Sequence, residues 1–255
     1  MEPSPLGGLA IACRRVEHPR ATVVAIHGGL DRASSFTRLS RRLDDFDVVA
    51  YDRRGYQDSR SVGPGTLDDH VSDLNRIMTW SAGAGPVVLF GHSFGGLIAM
   101  TLVSRRPSAA PLVVSFESPL PWVLSRPMPT PGPSVVPSLE SEIFFRRVVS
   151  DAAWEHLSHA DQESRRLDGA ALGADLRAMA QAQSPFELRD IQSPVRYLYG
   201  DSPSAGYYHA LARRLDATNA KFTSRELAGA PHGAHLSHPT MLASEIRRAF
   251  ELWWS

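Results

Sequence analysis

Cysteine is almost missing from this chain of 255 residues: Cys13 stands alone. A single thiol excludes an internal disulfide framework, and its place in an apolar run predicts a small buried residue. An excess of charge of one sign is missing too, since 27 Lys and Arg balance 27 Asp and Glu. With no basic surplus to neutralise phosphates, nucleic acid is not an expected partner. No apolar run approaches the roughly 18 residues that a membrane-spanning helix needs. The Pro- and Gly-rich start, Met1 to Gly8, lacks the positive flank and apolar stretch of a secretory signal. The expectation is a cytoplasmic protein that avoids the membrane. Metal-ligand spacing, a phosphate-loop lysine and a dinucleotide fingerprint are all wanting, so neither metal nor cofactor is expected. The partner these exclusions leave is a small-molecule substrate.

What is present is an alternation. Hydrophobic residues make up 43% of the chain, enough for a large core. Short β-branched runs at Thr22–Ile26, Val48–Tyr51, Val87–Phe90, Leu112–Phe116, Val195–Tyr199 and Lys221–Leu227 read as strands. Helical patterns separate most of them, with Leu67, Val71, Leu74 and Met78 on one face and Leu242, Ile246, Phe250 and Trp253 on another. Continuous apolar strands alternating with helices predict an α/β fold, a mostly parallel sheet with helices on both faces. The rhythm breaks after Leu112–Phe116. Seven prolines fall between Pro119 and Pro137, and helical patterns without strands follow, over 139–157 and 162–183. Residues 119–194 are therefore expected to form a helical cap, inserted between a first core part (1–118) and a second (195–255), over the edge where open α/β sheets bind ligands.

The chemistry gathers at three turns. Gly91-His92-Ser93-Phe94-Gly95-Gly96 lies directly between a strand and a helix. So tight a turn forces Ser93 into strained backbone and exposes its side chain, while the helix start offers free N–H groups to negative charge. His27-Gly28-Gly29 ends an earlier strand, and in such an architecture its loop supplies one oxyanion-hole N–H and the residue after the nucleophile the other. Those donors would be Gly29, or Leu30, and Phe94. With Asp52-Arg53-Arg54-Gly55-Tyr56-Gln57-Asp58-Ser59 and Gly229-Ala230-Pro231-His232, followed by Pro239, four landmarks stand in order.

In these landmarks, and over nearly its whole length, the chain resembles the α/β-hydrolase fold family. It departs from the family's D-x-R-G-x-G-x-S turn where Gln57 replaces a glycine. The resemblance implies that Ser93 is a nucleophile and His232 its general base, the spacing to Pro239 favouring His232 over His235 and His238, which are expected at the loop surface. An imidazole can take the serine proton and return it. The resemblance implies an acid three residues past a glycine in the loop after Val195–Tyr199, but that position is Pro203. Two carboxylates are candidates: Glu117, immediately after Leu112–Phe116, where some family members carry the acid, and Asp201. Either would hold the histidine's other N–H. Leu30 and Trp122 are expected to touch substrate, and Phe144, Phe145 and Trp154 are further aromatic candidates for the pocket. The implied reaction is cleavage of an ester, or related acyl bond, of a small to medium, partly apolar substrate through an acyl-enzyme. The alternatives are non-ester chemistry on the same fold, such as carbon–carbon hydrolysis, a lyase step or perhydrolysis, and a ligand-binding protein that has lost turnover.

Overall fold

The computed structural model describes residues 6–81, 85–107, 112–126, 136–181, 183–201 and 205–254. Its frame is a seven-stranded sheet: β1 (Ile11–Arg14), β2 (Thr22–Ile26), β3 (Asp47–Tyr51), β4 (Val87–His92), β5 (Leu112–Phe116), β6 (Val195–Gly200) and β7 (Phe222–Leu227). Their order is β1-β3-β2-β4-β5-β6-β7. All neighbours are parallel except β1, which runs antiparallel to β3 with Ile11 opposite Tyr51.

Both faces of the sheet are covered. In β2, Val24 and Ile26 point into one core with Leu74, Leu97 and Leu211, and Val23 and Ala25 into another with Leu39, Leu242 and Ile246. The first core is closed by α2 (Leu67–Ser81), α3 (Phe94–Arg105) and α8 (Ala205–Thr218), the second by α1 (Thr37–Arg42) and α10 (Pro239–Trp254). The period of two along a strand divides its side chains between the layers, which is why these strands read as unbroken apolar runs. No helix among the described residues is long and apolar enough to cross a membrane.

One local expectation is corrected: Cys13 lies in β1, a strand that the sequence pattern did not mark, and is exposed, not buried. The strand is short and lies at the sheet's edge, so its side chains escape the double burial of the central strands.

Between β5 and β6 the described residues are helical: a 3-10 turn at Pro121–Leu124, α4 (Pro137–Val148), α5 (Asp151–Glu155), α6 (His159–Leu167) and α7 (Gly169–Met179). Most of the proline-rich arm, 127–135, lies outside the described residues. Each long helical pattern breaks in two. Ser150 caps α5 by accepting from the Ala153 N–H, and Ser158 caps α6 by accepting from Asp161. The inserted helices are tied to the loop after β3. The Asp168 carboxylate accepts from Arg60 Nε at 2.6 Å and from the Gln57 N–H at 3.1 Å. Gln57 itself has φ 44°, so it keeps the left-handed backbone for which the family uses glycine.

Candidate active site

From β2 the chain steps to β3 on one side and then to β4 on the other, so the carboxyl ends of β2 and β4 bound a topological switch point. The turns ending these two strands carry Gly29 and Ser93. Ser93 has φ 52° and ψ −123°, a conformation that costs energy for any side chain and persists only where neighbours enforce it. Its N–H donates to the Phe116 carbonyl at 2.9 Å, and α3 begins at the next residue. A Cβ on Gly95 would run into the Ile26 carbonyl, which is why the helix can leave the turn so sharply only with glycine there. Phe94, the first residue of α3, has one of the N–H groups that a helix start leaves without an intrahelical partner.

The loop after β2 abuts this turn. A Cβ on Gly28 would stand 2.9 Å from Ser93 Cβ. Gly29 faces the inserted helices, where an added Cβ would meet Leu172 at 3.1 Å and Phe144 at 3.7 Å. Leu30 is buried at φ 54°. Leu172 and Phe144 are thus the insertion residues brought to the loop. Trp122 instead packs edge-on against Phe186, beside a cleft of about 460 Å³ that Leu188 and Arg214 also line. Phe145 and Trp154 pack against each other within the insertion.

Glu117 follows β5 directly, with φ 47°. It is fully buried; Oε1 accepts from the Gly200 N–H at 3.0 Å and Oε2 lies 2.6 Å from His232 Nδ1. The His232 side chain is 19% exposed. The Tyr208 ring stacks on it at 6.4 Å. No hydrogen bond joins Ser93 to His232 among the described residues. Asp201 is exposed, and its carboxylate accepts from the Gly229 N–H at 2.9 Å. Pro203 lies outside the described residues.

Two groups that the sequence did not mark surround the site. Arg53 is fully buried. Its guanidinium donates to the His27 and Gly28 carbonyls at 2.9 and 3.0 Å, and pairs with Asp175 of α7 at 2.6 Å. Asp175 also accepts from the Tyr56 hydroxyl at 2.6 Å. Burial alone would raise the Asp175 pKa, but Arg53 and His70 outweigh it and hold the carboxyl below its ordinary range. His27 lies beside this pair. Burial, then the Arg53 charge, push its pKa down to about 3; its Nε2 accepts from the Arg53 N–H and its Nδ1 faces the Gly28 carbonyl. The loop after β2 is therefore held by an ion pair whose carboxylate comes from α7.

The second group is Asp31, His92 and His235, whose ligand-type atoms all lie within 4.8 Å of one another. His235 is buried, not at the surface as expected, because α9 (Ala234–Ser237) turns it inward. His238 remains partly exposed. Burial and then the neighbouring His235 lower the His92 pKa to about 3. Burial would raise the Asp31 pKa, yet His235 and His92 bring it well below the usual carboxylate range. Spacing along the chain gives no hint of this cluster, because its members come from three separate turns. The only sequence signal is that each stands close to a residue singled out on other grounds: Leu30, Ser93 and His232.

Comparison with known proteins agrees with this architecture. Residues 23–245 match the model of a family described as "Alpha/beta hydrolase family". Lipase LipV of Mycobacterium tuberculosis is 37% identical over 97 residues, 38% of this chain and 37% of that protein. The first curated relatives are matched over only about a third to a half of their own length. A 2-succinyl-6-hydroxy-2,4-cyclohexadiene-1-carboxylate synthase of an Enterobacter species is 26% identical over 90% of this chain and 92% of its own. Among solved structures, the type II thioesterase BorB of the borrelidin biosynthetic cluster superposes with a TM-score of 0.69 at 24% identity, covering 94% of this chain and 97% of that one. That likeness is one of fold.

Proposed function

The chain belongs to the alpha/beta hydrolase family, and within it we propose a serine hydrolase that cleaves an ester or related acyl bond of a small to medium, partly apolar substrate. The observation that carries this reading is the 2.6 Å contact of a fully buried Glu117 carboxylate with Nδ1 of a partly exposed His232, at the same sheet edge as the strained Ser93. Held by Glu117, His232 presents Nε2 to the site. The ring takes the Ser93 proton as Oγ attacks the acyl carbonyl, and gives it to the leaving alcohol; a water then follows the same route and frees the acid. Glu117 stabilises the imidazolium in both steps. The oxyanion of each tetrahedral intermediate lies against the N–H groups of Phe94 and of Gly29 or Leu30; loss of a single donor from such a hole costs about 2.7–4 kcal/mol. Residues 119–194 act as a cap, with Phe144 and Leu172 above the oxyanion loop selecting the acyl group. Neither metal nor cofactor takes part in this scheme.

The match to a synthase over 90% of the chain favours one second reading, non-ester chemistry run by the same three side chains. Fluorophosphonate labelling tests the common element. Wild-type protein is expected to gain one adduct at Ser93 by peptide mass spectrometry, and Ser93→Ala none. An unlabelled wild type would mean a binding protein. p-Nitrophenyl esters of graded chain length then separate the two enzyme readings, because labelling without ester turnover points to the non-ester one.

A further inference from the structure

We propose that Asp31, His92 and His235 form a binding site for a divalent transition-metal ion of the Zn2+ type, between the loops that carry Leu30, Ser93 and His232. Two imidazoles and one carboxylate are the donor set that such borderline ions select. His235 Nε2 comes within 2.9 Å of Asp31 Oδ2, and His92 Nδ1 within 3.8 Å. The first is an ion-pair distance, yet none of these contacts is a well-aligned hydrogen bond: among the described residues Asp31 Oδ2, His92 Nδ1 and both His235 ring nitrogens are buried without a hydrogen-bond partner of good geometry. A ring N–H aimed at the carboxylate would satisfy two of these atoms. Here the approach is close but off the N–H line, so the pair gains attraction without satisfaction. An ion set among them would satisfy one atom of each residue at once.

The surroundings are already arranged to orient these donors. Asp31 Oδ1 accepts from the Ser35 hydroxyl, leaving Oδ2 to face the histidines. His92 Nε2 lies 3.0 Å from the His232 carbonyl oxygen, so that nitrogen carries the proton and Nδ1 keeps its lone pair. A ligating imidazole whose far N–H is tied to a carbonyl is the usual outer-shell arrangement of a metal site. Both rings are nearly sealed, while the Asp31 side chain is 15% exposed and gives the ion its way in from the surface. Asp31 follows Leu30, His92 precedes Ser93, and His235 stands three residues after His232. Bound metal would pin the three turns to one another from behind.

The test does not depend on the hydrolase reading. Chain carrying no affinity tag is stripped with a chelator and titrated with Zn2+ against a chromophoric chelator. One equivalent is expected to bind. Asp31→Asn, His92→Gln and His235→Gln are each expected to weaken it at least about tenfold, the scale seen when even an outer-shell partner of a metal is lost. His238→Gln, on the partly exposed neighbour, is expected to leave it unchanged. Should a variant fail to fold, the Co2+ adduct of the unaltered chain decides: visible ligand-field bands at one equivalent support the site. Stoichiometry near zero, no Co2+ bands, or equal weakening by His238→Gln would overturn it. Ser93 labelling is read on the same samples, so loss of metal binding and loss of the serine reaction are told apart.

Discussion

Glu117–His232 and Asp31–His235 are both carboxylate–histidine pairs, and the ring of His92 stands between them, with centroids 4.7 Å from His232 and 4.2 Å from His235. Their exposures are reversed. In the first pair the carboxylate is sealed, with one oxygen on a backbone N–H and the other on Nδ1, and the histidine is 19% exposed. In the second the histidine is the sealed member, at 2%, and the carboxylate reaches the surface at 15%. A general base needs a ring that meets the substrate and an acid that stays in place. Only the first pair is built so. The second keeps its ring nitrogens from any substrate, so the same two residue types serve binding or scaffolding there.

The largest expected effect tests that contrast directly. Glu117→Gln should lower kcat/KM for a p-nitrophenyl ester by about 10³–10⁴, since an amide neither stabilises imidazolium nor fixes the tautomer. Asp31→Asn, assayed without added metal, should cost less than about tenfold, a loss of positioning alone. Equal losses would mean that the two pairs act as one chain through His92.

A second effect sharpens the contrast by turning to an ion pair in which every charged group is matched. Arg53 and Asp175 are 0% and 1% exposed, with the guanidinium also bound to two carbonyls. Asp175→Ala leaves a buried, uncompensated guanidinium and an unpaired Tyr56 hydroxyl. Breaking such a pair should cost about 3–5 kcal/mol of unfolding free energy, read from denaturant curves. Asp31→Asn should cost less, since the Asp31 side chain is 15% exposed and asparagine keeps its shape, whereas Asp175 is sealed against a full guanidinium charge. A mild Asp175→Ala would show that the insertion swings away and lets water reach Arg53.

How much of this was legible follows from the range over which each feature is written. Strands such as Thr22–Ile26 and Leu112–Phe116 declare themselves locally, because double burial demands an unbroken apolar run. Ser93 is legible for the same reason: the turn needs its glycines within a few residues. β1 was hidden, because Ile11–Arg14 is short and lies at the edge. Arg53–Asp175 and Asp31–His92–His235 were not legible, because each joins residues from distant parts of the chain, Asp175 arriving on α7 and His235 on α9, and only the packing of those helices against the strand ends brings them together. Glu117 lies between these cases. Its candidacy needed β5 to neighbour the Ser93 strand, which β4 and β5 do, with His92 opposite Phe116.

The smallest expected effect is at Asp201. Asp201→Asn should change kcat/KM by less than about threefold and stability by less than about 0.5 kcal/mol, as for surface positions generally. Asp201 is exposed and its carboxylate accepts from the Gly229 N–H, a hydrogen bond that an asparagine side-chain oxygen can also accept. The family resemblance implies an acid in the loop after β6, yet the N–H of Gly200, the last residue of β6, donates to Glu117. β5 and β6 are parallel neighbours, with Phe116 opposite Leu198, so a residue just past β5 starts one strand away from the usual position. Glutamate has one methylene more than aspartate, and the left-handed backbone at Glu117 turns the chain there. Together they bring a carboxylate from β5 to the histidine that the β6 loop serves in other members. The paired measurement is therefore asymmetric by construction. A crippled Asp201→Asn with a silent Glu117→Gln would reverse the assignment, and two silent variants would leave Ser93 and His232 working as a dyad.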